Sequence, residues 1–305
     1  MLLITPFDPW RSKYCTCPDK FSLSPYTGCG HACLYCYASS YIRNFSNPRP
    51  KKDFLKRLKN EVKKIPKNSI ITIANSSDPY QSIEKEYELT RKMLMLLKDY
   101  ELKINIVTKS TLVARDIDVL KSLKNVAVSF TFTCLDKKLA RKLEPGCAGS
   151  PQDKLKTINA LSKYIPVAAR FDPLIYPLNT KDIKETVKAL KDSGAKQIIT
   201  STYKTKPDNF KRMCETFPEY ASLWKNLYLT CGGKKGGYNY LALQLRQKLI
   251  EEVKEAALTE KLKFSSCREG FSAINTANCD GSSLFTPLEK LHPVGAIRIY
   301  RRNEI

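Results

Sequence analysis

Three cysteines lie close together near the start of this 305-residue chain, and their spacing predicts its chemistry. Cys29, Cys33 and Cys36 form a C-x3-C-x2-C pattern. Three thiolates on one short loop can bind three irons of a [4Fe–4S] cluster and leave the fourth iron open to a substrate or cosubstrate. Zinc is the alternative, with His31 as a fourth ligand, although structural zinc sites normally have four ligands in two pairs. We predict an iron–sulfur cluster on this loop.

The residues that flank these cysteines resemble a known family. Tyr35 stands directly before the last cysteine, and the loop resembles the signature of the radical S-adenosylmethionine (radical SAM) superfamily. The resemblance extends over about residues 14–205 and does not identify a substrate. Further segments resemble the spore photoproduct lyase-like branch, often labelled DNA repair photolyase-like, namely residues 24–29, 35–38, 77–81, 108–110 and 143–146.

The resemblance implies a reaction. In this superfamily a reduced [4Fe–4S] cluster cleaves S-adenosylmethionine, which yields methionine and a 5′-deoxyadenosyl radical that abstracts hydrogen from the substrate. The cofactors carry this chemistry, and the protein supplies position, electrostatics and exclusion of water. The electron comes from a donor such as ferredoxin or flavodoxin. The resemblance thus implies a radical SAM enzyme with a lyase-like, repair-like or modifying reaction.

The resemblance also implies roles for residues outside the cysteines. Tyr35 is expected to pack near the adenine of S-adenosylmethionine, and Tyr37 is expected to line the catalytic site. Ser77 and Asp78 end the second strand, where the superfamily contacts the amino group and the ribose. Because Asp78 precedes Pro79, a turn residue is the alternative interpretation.

Three residues on later strands complete the expected cofactor site. Lys109 matches a lysine that pairs with the methionyl carboxylate, and Ser129 matches a serine that contacts the ribose. The alternatives are an ordinary exposed lysine and a plain strand residue. Arg170 lies on an otherwise apolar strand, so its charge needs a partner, which is either a ligand carboxylate or phosphate or a structural ion pair.

One position departs from the family pattern. True spore photoproduct lyases have a cysteine near the end of the second strand that returns a hydrogen atom to the product, and Asn75 stands there in this chain. An amide cannot donate a hydrogen atom as a thiol can. Cys134, just past the fourth strand, is the candidate for a replacement catalytic thiol, and a small buried hydrophobic residue is the alternative. The resemblance therefore does not make this chain a spore photoproduct lyase.

The elements that must position these residues alternate along the chain. Strand-like apolar runs precede helical patterns, which predicts parallel βαβ units in an α/β fold, a partial (βα)6 barrel; the resemblance implies the same fold. Ligands of such barrels lie at the carboxyl ends of the strands, so the cysteine loop, residues 75–78 and 108–109, Ser129 and Arg170 are expected around one mouth. The predicted strands are 21–23, 70–74, 102–107, 126–132, 166–171 and 197–200, and the predicted helices begin near Tyr37 and cover about 84–99, 115–122, 136–143, 151–163, 180–193, 207–215 and 240–257.

These elements divide the chain into three regions. Residues 1–20 are predicted to be an N-terminal segment, and residues 21–230 the partial barrel. A glycine-rich, basic turn at 231–237 opens the third region. We expect residues 231–305 to form a C-terminal α-helical and loop extension that covers the open side of the barrel.

Charge indicates the partner. The formal net charge is +22, and a positive field of that size attracts polyanions, which predicts a nucleic-acid partner. The alternative is a lysine-rich proteome, such as that of a thermophile, with a solvated surface. The densest basic block, residues 49–67, has apolar residues at helical spacing, which predicts an amphipathic helix with a basic outer face.

The composition also indicates the compartment. No run of 18 apolar residues predicts a membrane-spanning helix, and the first residues lack the pattern of a signal peptide. We therefore expect no membrane partner and a cytoplasmic location. In that setting eleven cysteines favour metal or cluster binding over disulfides.

Four of the remaining cysteines suggest a second site. Cys15 and Cys17 form a C-x-C pair before the first strand, and Cys267 and Cys279 lie near the other end of the chain. Four thiolates can make a closed site for zinc or for an auxiliary iron–sulfur cluster. The alternative is that all four are free thiols in a reducing cytosol.

Three functional hypotheses follow from these observations. The first is a radical SAM enzyme that acts on nucleic acid, either in DNA lesion repair or in RNA modification. The second is a radical SAM enzyme with a protein or small-molecule substrate. The third is a non-catalytic iron–sulfur or zinc protein that binds nucleic acid, and it predicts no binding of S-adenosylmethionine.

Overall fold

A computed structural model describes residues 2–7, 14–147 and 149–285. The N-terminal segment predicted for residues 1–20 and the extension predicted for 231–305 therefore lie partly outside the described residues. Within the described residues the strands in chain order are β1 (Thr5–Pro6), β2 (Phe21–Leu23), β3 (Tyr26–Thr27), β4 (Arg49–Pro50), β5 (Ile70–Ile73), β6 (Lys103–Thr108), β7 (Asn125–Phe132), β8 (Val167–Leu174), β9 (Gln197–Thr202), β10 (Gly233–Lys235), β11 (Tyr238–Tyr240) and β12 (Lys263–Ser266).

Eight of the strands in the described part of the chain form one sheet, in the order β1-β2-β5-β6-β7-β8-β9-β12. The pairs from β2 to β12 are all parallel, and β1 is antiparallel to β2. This parallel order confirms the predicted α/β fold and the six predicted strands. The strands β3 and β4 pair separately, as do β10 and β11, which form a hairpin.

The C-terminal region contributes a strand that the sequence pattern did not predict. The strand β12 pairs with β9 and extends the parallel sheet, whereas residues 231–305 were expected to form only helix and loop. Its sequence holds a single apolar residue, Phe264, and ends in the buried serines Ser265 and Ser266. A strand without an apolar run gives no periodic signal, because periodicity is read from apolar side chains.

Helices pack on the outer side of this sheet. The helix predicted near Tyr37 is only a 3-10 turn at Ala38–Ser40, and the predicted helix over 84–99 is interrupted at Glu88, whose φ is +51°. The helices of the described residues are α1 (Phe54–Glu61), α2 (Glu84–Tyr87), α3 (Leu89–Leu97), α4 (Ile117–Leu120), α5 (Lys137–Leu143), α6 (Pro151–Ser162), α7 (Ile183–Asp192), α8 (Pro207–Thr216), α9 (Ala221–Lys225) and α10 (Leu243–Thr259).

One apolar core joins the helices to the sheet. Helix α1 buries Phe54 and Leu58 and exposes Lys56 and Lys59, so the predicted basic amphipathic helix is present. Its apolar face is part of the same buried cluster as the alternate side chains of the central strands, such as Ile104. No helix in the described ranges combines the length and the apolar character needed to cross a membrane.

A loop near the C-terminus fills the inner side of the sheet. The backbone carbonyl of Asp280 accepts hydrogen bonds from Asn105 Nδ2 at 2.6 Å and Ser129 Oγ at 3.1 Å. The Asp280 carboxylate pairs with Lys20 at 2.7 Å, and both side chains are buried. This loop therefore ties the N-terminal edge of the sheet to its centre.

Candidate active site

A cavity of about 470 Å³ opens beside the carboxyl ends of the strands. Its wall includes the three cysteines of the C-x3-C-x2-C loop together with residues 74–78, 107–109 and 201–204. The tail closes another side with Cys267, Arg268 and Cys279. In a parallel sheet the loops at this end come from different strands, so residues distant in sequence meet there.

Backbone hydrogen bonds hold the cysteine loop in place. The Cys29 amide donates to the Phe45 carbonyl at 2.8 Å, and the Gly30 amide donates to Gln81 Oε1 at 2.8 Å. Burial raises the pKa of Cys29 to about 12 and that of Cys33 to about 11. A metal cation favours the thiolate and offsets this effect, because a coordinating thiol is deprotonated. Three thiols on one fixed loop at a cavity wall fit the donor set of a [4Fe–4S] cluster with one open iron.

His31, the fourth ligand of the zinc alternative, has other contacts. Its Nε2 lies 3.3 Å from Asp78 Oδ2, at ion-pair distance but without hydrogen-bond alignment. Its Nδ1 lies 3.4 Å from the Gly146 carbonyl. Both ring nitrogens therefore face groups other than the three thiols, which favours the cluster over a zinc site with His31.

Lys109 joins the cysteine loop to a buried carboxylate. Its Nζ lies 3.3 Å from Cys33 Sγ, 2.6 Å from the Tyr35 hydroxyl and 3.2 Å from Glu144 Oε1. Burial lowers the pKa of Lys109, but the charges of Cys33 and Glu144 raise it more, so the net pKa is raised. The lysine is therefore charged, lines the cavity and stands between a ligand sulfur and a carboxylate.

Glu144 is a residue of this site for which no role was predicted. Burial raises its pKa, but the charges of Lys109 and Lys154 more than reverse this, so the pKa lies well below its usual range. Its carboxylate also accepts hydrogen bonds from Thr133 Oγ1 at 2.6 Å and from the Tyr35 hydroxyl. Its only sequence signal is the segment 143–146, which carries part of the family resemblance.

Asp78 braces two strand ends. Its Oδ1 accepts hydrogen bonds from the Tyr80 amide at 2.9 Å and Thr108 Oγ1 at 2.7 Å, and its Oδ2 accepts one from the Lys109 amide at 2.9 Å. The bond to Tyr80 forms the Asx turn of the alternative interpretation. Asp78 and its neighbour Ser77 also line the cavity, as predicted for cofactor contacts; the contacts themselves remain a prediction.

Tyrosines gather at the entrance of the cavity. The rings of Tyr37 and Tyr41 stack with centroids 6.3 Å apart, and Tyr37 meets Tyr238 edge-on at 5.9 Å. Arg268 lies over the Tyr238 ring at 5.1 Å from its centroid. Tyr37 lines the cavity, and its role in the site stays a prediction; Tyr238 from the hairpin also lines the cavity and was not predicted.

Two predicted residues do not lie at the cavity. Ser129 was expected at the mouth, but it is fully buried under the C-terminal loop, and its hydroxyl donates to Asn105 Oδ1 and the Asp280 carbonyl. Cys134 was expected as a catalytic thiol, but it is buried away from the cavity wall, where its Sγ lies 3.5 Å from the Asp136 carbonyl. The alternative for Cys134, a small buried residue, matches this environment.

Arg170 forms an ion pair within the protein, which is one of the two interpretations that the sequence left open for its charge. Its Nη2 lies 2.7 Å from Asp172 Oδ2, two residues further along the same strand, and the two side chains share the cavity wall. Burial raises the pKa of Asp172, but Arg170 and Lys204 lower it more, so the net pKa is lowered. A ligand contact of Arg170 remains a prediction beside this pair.

The four other cysteines named from the sequence come together. Cys17 Sγ lies 3.6 Å from Cys279 Sγ, Cys15 lies close to the Cys17 side chain, and Cys267 lies close to the Cys279 side chain. Across the described residues no three His, Cys, Asp or Glu side chains already surround a common point as in a loaded metal site. This holds for the C-x3-C-x2-C cysteines as well.

Comparisons with known proteins agree with this geometry. A family model described as "Radical SAM superfamily" matches residues 23–190. An uncharacterized protein of Methanocaldococcus jannaschii is 30% identical over 166 residues, which are 51% of this chain and 62% of that protein. An uncharacterized protein of Acidianus two-tailed virus is 27% identical over 203 residues, which are 59% of this chain and 66% of that protein. The match thus spans less than two thirds of the length of these relatives.

Solved structures share the fold. A spore photoproduct lyase variant has a TM-score of 0.68 at 13% identity, with 87% of this chain and 79% of that chain covered. Another variant, with bound AdoMet and dinucleoside spore photoproduct, has a TM-score of 0.64 at 14% identity and coverages of 83% and 76%. SuiB of Streptococcus suis, bound to precursor peptide SuiA, has a TM-score of 0.52 at 14% identity and coverages of 80% and 48%. At these identities the likeness concerns the fold alone.

Proposed function

Because this chain belongs to the radical SAM superfamily, we propose that it is an enzyme that uses a [4Fe–4S] cluster and S-adenosylmethionine to abstract hydrogen from a nucleic-acid substrate. The carrying observation is that the three thiols of Cys29, Cys33 and Cys36 share a cavity with Lys109 and the ends of four central strands. When bound, the cluster supplies the electron that cleaves S-adenosylmethionine into methionine and a hydrogen-abstracting radical.

The residues of the chain have separate tasks in this proposal. Cys29, Cys33 and Cys36 bind three irons, and the Lys109 ammonium, 3.3 Å from Cys33 Sγ, stabilises negative charge on that sulfur. The same ammonium faces the cavity and is the group with which a methionyl carboxylate pairs. Glu144 keeps Lys109 in place from the buried side, at 3.2 Å.

The remaining cofactor contacts follow from the cavity wall. Ser77 and Asp78 are proposed to contact the amino group and ribose of S-adenosylmethionine, and Tyr35 its adenine; Arg170 is a further candidate. The Ser129 hydroxyl is already committed to Asn105 and Asp280, so it is left out of the proposed site. Cys134 is also left out of the proposed site, because it does not line the cavity.

Charge and aromatic side chains support a nucleic-acid substrate. The chain carries a formal net charge of +22, the hairpin of β10 and β11 exposes Lys234 and Lys235, and the partly exposed rings of Tyr37 and Tyr41 line the cavity. Tyrosine rings with nearby cations bind single-stranded or extruded bases through stacking, which is tolerant of sequence. A base within a duplex has to be flipped out to reach the cavity. A structural neighbour with a bound dinucleoside photoproduct also supports this class, either as DNA lesion repair or as RNA modification.

A protein substrate is the second candidate. SuiB, which shares the fold, is described with a bound precursor peptide, and such a substrate would leave the positive charge without a catalytic role. The two candidates differ in salt dependence, because binding to phosphates weakens steeply as salt concentration rises. The third hypothesis, a non-catalytic metal protein, predicts no binding of S-adenosylmethionine. It therefore leaves Lys109 and the cavity without a ligand to bind.

The first experiment measures cleavage of S-adenosylmethionine. The protein is reconstituted anaerobically with iron and sulfide and reduced with dithionite, and 5′-deoxyadenosine is assayed with and without single-stranded DNA or RNA. We expect production that disappears in Cys29→Ala, Cys33→Ala and Cys36→Ala and that rises with nucleic acid. A loaded cluster that neither binds nor cleaves S-adenosylmethionine contradicts the proposed activity, whereas cleavage unaffected by any nucleic acid contradicts only the substrate class.

An electron donor and a location complete the proposal. The physiological electron donor is a ferredoxin or a flavodoxin. Supplying either reduced protein in place of dithionite tests this directly. A cytoplasmic location, expected from the sequence, fits the need to keep these thiols reduced.

A further inference from the structure

The second group of cysteines joins the two ends of the described chain. Cys15 and Cys17 precede β2, near one edge of the sheet, whereas Cys267 directly follows β12 at the opposite edge. Cys279 lies in the loop that crosses the inner side of the sheet. Four thiols that are up to 264 positions apart in sequence therefore meet where the open sheet would have to close.

These four thiols lie close to one another. Cys17 Sγ lies 3.6 Å from Cys279 Sγ, Cys17, Cys267 and Cys279 line the same cavity, and Cys15 lies close to the Cys17 side chain. None of the four is fully exposed, and Cys279 is only 2% exposed. Free cysteines scattered by chance over a protein of this size do not meet in one place.

The spacing of the sulfurs indicates the kind of metal. Zinc binds cysteine sulfur at about 2.3 Å in a tetrahedron, which places two ligand sulfurs about 3.8 Å apart. The 3.6 Å between Cys17 Sγ and Cys279 Sγ is close to that value. A [4Fe–4S] cluster binds its four cysteines through four separate irons and therefore needs its ligand sulfurs farther apart.

The surroundings supply compensating charge. Four thiolates around one Zn²⁺ leave a net charge of −2, which needs nearby positive groups or hydrogen-bond donors. The Lys20 side chain lies close to Cys17, and Arg170 Nη1 donates a hydrogen bond to the Cys279 carbonyl at 3.5 Å. Lys20 is itself held by Asp280 at 2.7 Å, next to Cys279 in sequence. These cations are already in position beside the thiols.

We propose that Cys15, Cys17, Cys267 and Cys279 bind one Zn²⁺ as a closed structural site that connects the N-terminal segment to the C-terminal loop. Because no three of these thiols surround a common point in the described structure, metal binding requires their side chains to rotate. Cys17, Cys267 and Cys279 also line the large cavity, so the metal would become part of the cavity wall. Metal binding here does not require the proposed radical chemistry.

Metal analysis of a variant without the first site tests this proposal. The full chain carrying Cys29→Ala, Cys33→Ala and Cys36→Ala is purified without added metal, and zinc and iron are measured per chain. We expect about one zinc and no iron, and an X-ray absorption spectrum at the zinc edge with four sulfur neighbours at about 2.3 Å. Adding Cys17→Ser or Cys279→Ser should remove the zinc, whereas adding Cys231→Ser, at an exposed cysteine, should leave it.

Four results would overturn the proposal. Three of them are the absence of zinc from the folded triple variant, retention of zinc after Cys17→Ser and Cys279→Ser, and a stoichiometric iron signal in place of zinc. The fourth is a Cys17–Cys279 disulfide in metal-free protein, detected by mass spectrometry under anaerobic purification. If the serine variants fail to fold, titration of the chelated triple variant with Co²⁺ replaces them, since four-thiolate tetrahedral cobalt absorbs intensely in the visible range and other coordination does not.

This design separates the two proposals. The metal content is measured in a chain that has lost Cys29, Cys33 and Cys36, so a failure of the radical activity leaves the zinc result unchanged. Conversely, a zinc-free triple variant leaves the cleavage assay of the native chain unaffected.

Discussion

Lys109 Nζ lies 3.3 Å from Cys33 Sγ, although the two residues are 76 positions apart in sequence. A single ammonium therefore contacts a cluster-loop sulfur and, on its other side, the carboxylate of Glu144 at 3.2 Å. An ammonium beside a thiolate stabilises the charged sulfur, and one that faces a cavity can also attract a carboxylate. The cysteine loop and the proposed cofactor pocket are thus connected electrostatically through one side chain.

Replacing Lys109 tests this connection. In Lys109→Met the hydrogen bonds to Cys33, Tyr35 and Glu144 are lost, and a hydrogen bond between charged groups contributes about 1.5–3 kcal/mol. We expect S-adenosylmethionine to bind roughly 10- to 100-fold more weakly to the reconstituted protein, measured by equilibrium dialysis. Lys109→Arg, which keeps the charge, should lose less. Equal affinity in Lys109→Met and the native protein would mean that the lysine has only a structural role.

The lowered pKa of Glu144 predicts a dependence of stability on pH. Burial raises this pKa, but Lys109 and Lys154 lower it more, so the folded-state pKa lies below the unfolded value of about 4.3. A depressed pKa gives a stabilisation that is fully present above about pH 4.3 and is lost as the pH falls toward the folded-state pKa. We therefore expect Glu144→Gln to lower the melting temperature at pH 7, and the difference from the native protein to shrink as the pH falls below about 4.

Glu101 offers the matched control for this experiment. It pairs with Lys67 at 2.9 Å on the surface, and the hydrogen bond and charge of Lys67 lower its pKa. Exposed ion pairs contribute little to stability. Glu101→Gln should therefore leave the melting temperature nearly unchanged at every pH. A Glu144→Gln variant that behaves like Glu101→Gln would show that the buried carboxylate does not hold the site together.

Much of the fold could be predicted from the sequence because its signals are local. The central strands are runs of apolar residues, and the cysteine loop is a short motif whose members are neighbours along the chain. The ion pair of Arg170 with Asp172 was open to prediction as well, since residues two apart on a strand face the same side. The strand β12 was not predicted, because Ser265 and Ser266 carry no apolar signal.

The remaining features depend on contacts between distant residues. Ser129 has the right position on its strand for a cavity residue, but the carbonyl of Asp280, 151 positions away, covers it. From the sequence alone, Glu144 and Lys154 would each be predicted to lie at the surface, because charged side chains are seldom buried unless they are paired. Their pairing becomes visible only when the strands bring Lys109 beside them. Local patterns therefore predicted which elements form but not which side chains those elements leave free.

Gly281 tests the loop that covers Ser129. Its φ is +85°, and a Cβ there would lie 2.7 Å from Ser129 Oγ, so Gly281→Ala meets both backbone strain and a clash. We expect a loss of about 1–3 kcal/mol in the free energy of unfolding, measured by urea denaturation. Gly236 has a φ of +55° with nothing within 4 Å of its Cβ position, so Gly236→Ala isolates the strain alone. Gly233→Ala should have the smallest effect, because its Cβ position is open and its φ lies outside the left-handed region.

An equal loss in Gly281→Ala and Gly236→Ala would show that contact with Ser129 does not matter and that only backbone conformation does. A larger loss in Gly281→Ala, together with faster hydrogen exchange at Asn105 and Ser129, is the outcome that the packed loop predicts.

The tyrosines at the cavity entrance provide the sharpest test of the substrate class. Tyr41 is 39% exposed and lines the cavity, and its ring stacks on that of Tyr37 at a centroid distance of 6.3 Å, whereas Tyr238 is buried. Stacking of a base on an aromatic side chain contributes about 1–3 kcal/mol, so Tyr41→Ala should weaken binding of single-stranded DNA or RNA by roughly 5- to 150-fold. Tyr41→Phe keeps the ring and should bind nearly as the native protein does.

Tyr164 is the control for this prediction, because it is an exposed tyrosine with a lysine, Lys121, over its ring at 4.5 Å but away from the cavity wall. Binding of a fluorescent oligonucleotide is measured by anisotropy at several salt concentrations. Tyr164→Ala should leave the affinity unchanged, and Tyr41→Ala should lower it without a change in salt slope, since the slope counts phosphate contacts and not stacked bases. If Tyr164→Ala and Tyr41→Ala weaken binding equally, the protein attracts nucleic acid through its general charge, and a protein or small-molecule substrate becomes the better proposal.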